Sequence, residues 1–200
     1  MNPILYFLRD LKKTGAVSPS SKFLAEDITQ VLGECSANIS KPLQILELGP
    51  GTGTLSKYIS GYLKPEDTFD MVEINPHFTR MLRRKFKSPN ITVHYTDFLN
   101  FNVSASYDYI FSSIPYETIP EEISKQIWEK KIDLCSNGGK IIYYKYLNFN
   151  HFRCKYEKSL VKKYCIDKKI VFLNLPPANL YTLCIEKPAI LPSTIVARAV

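Results

Sequence analysis

Apolar and polar positions alternate along the chain in blocks that predict strands and helices in turn. Short apolar runs bounded by turn residues predict seven strands, at QILEL, TFDMVEI, ITVHYTD, YDYIFSSI, KIIYYKYL, KIVFLNL and LYTLCIE. Helical periodicity between them predicts helices at TLSKYISGYL, NPHFTRMLRRKF and PEEISKQIWEKKIDLC and over 152–165, with a glycine turn before KIIYYKYL. This alternation is typical of an α/β fold with a doubly wound, mostly parallel sheet. The last two strands, separated only by PPAN, are expected to form an antiparallel hairpin.

Two further helices are predicted ahead of the first strand. Ile4, Phe7, Leu8 and Leu11 follow the i, i+3, i+4, i+7 pattern of an amphipathic helix, with mostly cationic residues on the opposite face. SPSSKFLAEDITQVL then offers a serine cap, an early proline and a second helical period. Because the chain shows no repeats or linkers, we expect a single domain over residues 1–200, with residues 1–34 as N-terminal helices.

Composition and charge limit the classes of binding partner and the cellular compartment that we expect. The net charge of +7 favours an anionic partner, either nucleic acid or a phospholipid surface, and does not choose between them. The five cysteines are scattered and contain no CxxC, which indicates reduced thiols in a cytosol. The apolar stretches are too short to span a bilayer, and the first residues lack the basic region of a signal peptide. We therefore expect a cytoplasmic protein.

The densest glycine cluster lies directly behind the first predicted strand, in ELGPGTG. Gly49, Gly51 and Gly53 stand at a strand–helix turn, where bare backbone can approach a ligand closely. The carboxyl edge of an open α/β sheet is also where ligands bind. The spacing is GxGxG, unlike the GxGxxG of dinucleotide-binding turns, and no lysine follows as a P-loop requires. Glu47 precedes the first glycine. A tight turn without a ligand is the alternative for this stretch taken alone.

Acidic residues also stand at the ends of the second and third predicted strands. Glu73 lies at the end of the second strand, where a carboxylate can accept both hydroxyls of a ribose. Asp97 ends the third strand, and Phe98 after it offers an aromatic face to an adenine ring. Each acid alone is also explained as a solvated strand-end carboxylate. Their common register predicts one nucleoside site.

Three acids at the ends of successive strands, with a glycine turn on the first, resemble the class I S-adenosylmethionine-dependent methyltransferases. The resemblance implies their Rossmann-like fold and S-adenosylmethionine as the cofactor. It also implies that Glu47 and the glycine turn lie against the methionine moiety, that Glu73 holds the ribose, and that Asp97 and Phe98 lie near the adenine. Ser112, in the fourth predicted strand, is assigned to the same cofactor site. No metal is expected, because the three histidines show no ligand spacing.

The methyl acceptor is expected to bind after the fourth strand, at SSIPYETIP. This stretch resembles the N-[IL]-P-Y motif of rRNA adenine dimethyltransferases, with Ser113 in the place of the asparagine. In that family the asparagine and prolyl carbonyls accept hydrogen bonds from the target amine, and the tyrosine stacks on the flipped base. The serine, and the short chain after the last strand, weaken the prediction of an RNA substrate.

A longer resemblance connects the chain with the soluble bacterial phospholipid N-methyltransferases. It is carried by GAVSPSSKFLAEDI, ILELGPGTGTLSKYI, SSIPYETIP, CSNGGKIIYYKY and FLNLPPANLYTL. It implies methylation of the headgroup amine of a phospholipid such as phosphatidylethanolamine. An rRNA adenine N6-methyltransferase remains the alternative, and a non-catalytic cofactor-binding module is the third hypothesis.

A lipid substrate requires a membrane-facing surface and a way to deprotonate an amine. The amphipathic stretch over residues 3–13 and the basic clusters over 80–87 and 153–169 suit an anionic membrane surface, although a core-packing lid and solvated helix faces also explain them. Tyr116 and Tyr146 are candidates for holding the headgroup by cation–π contact, and Glu117 for accepting the proton. We expect peripheral association with the inner face of the membrane, with the helices of residues 1–34 covering the cofactor and acceptor face.

Overall fold

The computed structural model describes residues 21–36, 41–116, 119–147 and 155–188. Within these ranges the helices are α1 (Lys22–Ser36), α2 (Thr54–Tyr62), α3 (Pro76–Lys85), α4 (Glu121–Leu134) and α5 (Lys155–Tyr164). The strands are β1 (Gln44–Leu48), β2 (Thr68–Glu73), β3 (Ile91–Tyr95), β4 (Tyr107–Ser112), β5 (Cys135–Tyr146), β6 (Cys165–Val171) and β7 (Ala178–Ile185). The helix predicted over residues 3–13 lies outside the described residues.

The strands form one seven-stranded sheet in the order β3-β2-β1-β4-β5-β7-β6. Strands β1 to β5 pair in parallel, whereas β7 runs antiparallel to both β5 and β6. β1, β2 and β4 are buried at most positions, because helices cover both faces of the sheet. The predicted α/β doubly wound sheet with a C-terminal antiparallel pair is therefore confirmed.

Helices divide between the two faces of the sheet and form a core on each. Buried residues of α1, α2 and α3, among them Leu24, Ile59 and Leu82, pack against one face. Trp128 of α4 and Leu160 of α5 pack against the other face. The described part of the predicted N-terminal helices thus packs in the core beside α2. None of the described helices is both long enough and apolar enough to cross a membrane.

The predicted limits of two strands, β5 and β6, are wrong. β5 begins at Cys135, which pairs with Tyr107, and the register then jumps to the pair Tyr109 and Lys140. The expected turn at Gly138, which has a φ of 76°, is therefore an irregularity within the paired strand. β6 spans Cys165–Val171, so FLNL of the predicted strand KIVFLNL is a loop. The polar start of β6 was missed because an edge strand can expose its residues to water.

Candidate active site

Three glycines shape the turn between β1 and α2. Gly49, Gly51 and Gly53 have φ values of 69°, 56° and 76°, in the left-handed region that other residues rarely adopt. A Cβ on Gly53 would lie 2.8 Å from Leu82 Cδ2, so this glycine allows α2 to pack closely on α3. A Cβ on Gly51 would meet no atom within 4 Å, so the backbone there faces open space. Gly51 is where the turn can receive a ligand.

Beneath the turn lies Glu47, whose side chain is fully buried on β1. Ser56 Oγ of α2 donates a hydrogen bond of 2.5 Å to Glu47 Oε2. Glu47 Oε1 accepts no hydrogen bond from any of the described residues. Burial raises the pKa of this carboxyl to about 8, opposed by the Ser56 hydrogen bond. An unsatisfied acceptor at this place fits the cationic methionine end of S-adenosylmethionine.

The carboxylate of Glu73 joins the end of β2 to the glycine turn. Glu73 Oε2 accepts a hydrogen bond of 3.0 Å from Gly51 N, and Oε1 accepts one of 2.7 Å from Asn75 N. Burial raises the pKa of the Glu73 carboxyl, while the backbone N–H groups of Asn75, Gly51 and Ile74 lower it. Each oxygen keeps further acceptor capacity. The carboxylate is thus oriented at the turn and able to accept ribose hydroxyls.

Asp97 and Phe98 follow β3, and both make structural contacts. Asp97 caps a short 3₁₀ helix by accepting a hydrogen bond of 2.9 Å from Leu99 N. The Phe98 ring is 6% exposed and packs in the core on the face of α4 and α5. The expected contact between the Phe98 ring face and an adenine is therefore not supported by this burial. The role of Asp97 near the adenine stays a prediction.

The acceptor motif begins directly beside the glycine turn. Ser113 N donates a hydrogen bond of 2.9 Å to Leu48 O, which continues the pairing of β4 with β1. The carbonyl oxygen of Ser113 lies 3.6 Å from the place that a Cβ on Gly49 would take. Ser112, which ends β4, is buried and forms a hydrogen bond of 2.6 Å with the Tyr116 hydroxyl. The structure therefore brings the two predicted motifs together at one edge of the sheet.

Tyr116 lies in the core, whereas the sequence analysis predicted that its ring would contact the methyl acceptor. Its ring is 3% exposed, stacks on Trp128 at a centroid distance of 5.3 Å and meets the edge of Tyr143. Its hydroxyl accepts a hydrogen bond of 2.8 Å from Lys131 Nζ. These contacts hold the ring away from the surface, so the geometry does not support a cation–π contact between this ring and the lipid headgroup.

Lys131 of α4 is a buried lysine that the sequence analysis missed. Its Nζ lies 3.0 Å from the centre of the Trp128 ring, and burial lowers its pKa well below the usual value, opposed by Glu157. Glu157 itself pairs with the buried Lys145 at 3.1 Å. The sequence contains a signal for this burial. Lys131 follows the buried Ile127 by one helical turn and so lies on the apolar face of α4.

Of the two remaining catalytic candidates, Tyr146 is described by the structure and does not lie beside Tyr116. Tyr146, at the end of β5, is half-buried and contacts Tyr144 edge-on with centroids 5.6 Å apart. It packs on the face of the sheet that carries α1 to α3, opposite to Tyr116. Glu117 lies outside the described residues, so its role as a proton acceptor stays a prediction.

Comparison with curated proteins gives two kinds of relative. The chain is 23% identical to the ornithine lipid N-methyltransferase of Singulisphaera acidiphila, over 90% of this chain and 95% of that protein. It is 34% identical to the ribosomal RNA small subunit methyltransferase A of Borreliella burgdorferi, over 52% of this chain and 37% of that protein. The other curated relatives are longer, and this chain spans less than half of the length of each.

The fold and the family are shown by two further comparisons. The N-methyltransferase NodS of Bradyrhizobium japonicum, solved with S-adenosyl-L-homocysteine, superposes with a TM-score of 0.64 at 13% identity, over 82% of this chain and 88% of that one. The orphaned Glu47 oxygen, the open backbone at Gly51 and the oriented Glu73 carboxylate fit S-adenosylmethionine as the cofactor of the chain. The sequence model for ribosomal RNA adenine dimethylase matches residues 21–144. The chain is therefore an S-adenosylmethionine-dependent methyltransferase and belongs to the ribosomal RNA adenine dimethylase family.

Proposed function

We propose that this methyltransferase acts on the headgroup amine of a membrane amino-lipid such as phosphatidylethanolamine. The observation that carries the proposal is the burial of Tyr116. An enzyme that methylates a flipped adenine stacks the base on an aromatic ring. Here one face of the Tyr116 ring is covered by Trp128, and Ser113 stands in place of the amide that would bind the base. A flexible alkyl amine requires neither feature.

The extent of the similarity to the lipid enzyme supports the same substrate class. The match with the ornithine lipid N-methyltransferase extends over nearly the whole of both chains, whereas the match with the rRNA enzyme covers about half of this one. We therefore propose the lipid amine, rather than the adenine amine, as the methyl acceptor.

The chemistry requires alignment more than activation of the methyl group. The sulfonium of the cofactor supplies an activated methyl group, and the acceptor nitrogen must approach it in line. An ethanolamine ammonium has a pKa of about 10, like that of lysine, and must lose a proton before attack. The Ser113 carbonyl lies beside the glycine turn and is suited to accept an N–H of the neutral amine, which orients the nitrogen lone pair.

Peripheral binding to the inner face of the cytoplasmic membrane is part of the proposal. The basic last turn of α3, formed by Arg83, Arg84 and Lys85, and that of α5, with Lys162 and Lys163, suit anionic lipid headgroups. The amphipathic residues 3–13 are a second candidate, on sequence grounds alone.

An rRNA adenine N6-methyltransferase is the second candidate, favoured by the family to which the chain belongs. Labelled methyl transfer from S-adenosylmethionine to amino-lipid vesicles and to unmodified ribosomal RNA, run in parallel, separates the two. The proposal predicts label in the lipid arm and background in the RNA arm. Label confined to RNA would replace the lipid substrate by the second candidate.

A further inference from the structure

The loop between β6 and β7 has an inverted distribution of polar and apolar side chains. Phe172, Leu173 and Leu175 are 72%, 69% and 85% exposed, while Asn174 between them is 2% exposed. A solvent-facing loop normally turns its apolar residues inward and its amide outward. We name residues 172–175 the FLNL loop. Three large apolar side chains within four residues are an exposed patch that calls for a partner.

The FLNL loop is held in place from inside by its asparagine. Asn174 Oδ1 accepts a hydrogen bond of 3.1 Å from Ser21 N, and Asn174 Nδ2 donates one of 2.6 Å to Pro176 O. Leu147 N donates a further hydrogen bond of 2.8 Å to Pro177 O. The loop is thus fixed both to the start of α1 and to the end of β5. The outward position of its apolar residues is therefore built into the fold.

The loop lies at the same edge of the sheet as the glycine turn. β6 and β5 are both antiparallel to β7, so they run in the same direction as β1 and β4. Ala178 pairs with Val171 on one side and with Tyr146 on the other, which places the ends of β5 and β6 in one row. Whatever the FLNL loop contacts is therefore presented to the edge that carries the cofactor and acceptor motifs.

The surroundings of the loop indicate an anionic lipid surface as the partner. Lys22 and the partly exposed Phe23 follow directly after Ser21, which is bonded to the loop. Lys168 is exposed on β6, and Ile170 is 42% exposed beside it, whereas Lys169 is paired with Asp27. Apolar side chains that project outward, with cations behind them, match a bilayer interface with anionic headgroups.

We infer that Phe172, Leu173 and Leu175 insert into the interfacial layer of an anionic bilayer and hold the catalytic edge of the sheet against the lipid headgroups. The inference rests on the proposed function and deepens it. It explains how an amine held in a membrane reaches the active site. The partner is the lipid surface, and the loop is its docking element.

Vesicle sedimentation tests the docking with a matched pair of variants. The triple variant Phe172→Ser, Leu173→Ser, Leu175→Ser is expected to lose affinity for phosphatidylglycerol-containing vesicles by at least about tenfold. Ile166→Ser is the control, because Ile166 is 60% exposed on β6, at the end of the strand opposite to the FLNL loop. The control is expected to bind as the native chain does. Native affinity in the triple variant, or equal loss in the control, would overturn the inference.

Fluorescence reports on insertion itself. The single native tryptophan, Trp128, is fully buried, so Phe172→Trp adds the one exposed indole. Its emission is expected to shift to the blue on addition of anionic vesicles, and not on addition of the soluble lipid headgroup. An unchanged spectrum, or a change that follows self-association of the chain in sedimentation velocity, would contradict membrane insertion.

Activity on two forms of the same lipid separates the docking from the proposed function. On a short-chain phosphatidylethanolamine dissolved as monomers, the triple variant is expected to match the native enzyme, while on vesicles its turnover falls. If native protein labels lipid but the triple variant is equally active on vesicles, only the docking fails. If label enters RNA alone, the proposed function fails, and the vesicle-binding arms decide the docking separately.

Discussion

At the residue scale, the site depends on two buried carboxylates with different surroundings. Glu73 has both oxygens bonded to backbone N–H groups, whereas Glu47 has one oxygen bonded to Ser56 and the other without a partner among the described residues. Glu73 is therefore oriented to accept hydroxyl groups. Burial favours the neutral acid form of Glu47, whereas a bound cation nearby would favour its ionised form.

Removing the Glu73 carboxylate is expected to weaken S-adenosylmethionine binding. Glu73→Ala deletes the proposed hydrogen bonds to the ribose, a loss of about 1.5–3 kcal/mol, or about 10–150-fold in affinity. Glu73→Gln keeps an oxygen for one of the backbone partners and should lose less. Isothermal titration calorimetry measures both. Unchanged affinity in Glu73→Ala would exclude the ribose role.

Glu47 should make the stability of the cofactor-free protein depend on pH. Its folded-state pKa is about 8 against 4.5 in the unfolded chain, so the folded state retains a proton that the unfolded state releases. The corresponding stability is present below pH 4.5 and is lost as the pH rises towards about 8. Urea unfolding is measured at pH 5 and pH 8.5, each about half a unit above one of the two pKa values. The free energy of unfolding should fall less between these pH values in Glu47→Gln than in the native chain. An equal decline in both would refute the assignment.

At the element scale, the periodicity of the sequence locates most elements because the parallel strands are short, buried and apolar. Asn75 and Pro76 were correctly predicted to start α3, since the amide accepts hydrogen bonds from His77 N and Phe78 N. The errors fall at β5 and β6, where pairing with β4 and β7 fixes the boundaries. Local composition carries no information about such long-range partners.

The glycine turn offers a matched pair of variants at this scale. Gly53→Ala places a Cβ 2.8 Å from Leu82 and adds left-handed strain, so it should lower the free energy of unfolding by about 2–4 kcal/mol. Gly51→Ala adds strain of about 1–2 kcal/mol without a clash and should mainly weaken cofactor binding. Denaturant unfolding and calorimetry together check this. Equal unfolding free energies would contradict the separate roles.

At the scale of the whole molecule, the sequence indicated which strand ends and turns lie together, and it did not indicate which aromatic rings are buried. Glu47, the glycines and Glu73 lie together because each stands at a strand end or turn, and the sheet brings those ends to one edge. Tyr116 and Phe98 were expected to face ligands and are instead buried. Their packing partners, such as Trp128, lie elsewhere along the chain and could not be identified from local motifs.

The acceptor is the central claim, and a competition reaction tests it most directly. Native protein is incubated with labelled S-adenosylmethionine, vesicles containing phosphatidylethanolamine and ornithine lipid, and unmodified ribosomal RNA in one vessel. A reaction without the protein serves as the blank, and the lipid and RNA fractions are separated and counted. The account predicts label in an amino-lipid, with the RNA fraction at the level of the blank. Label in the RNA fraction with none in either lipid would contradict it.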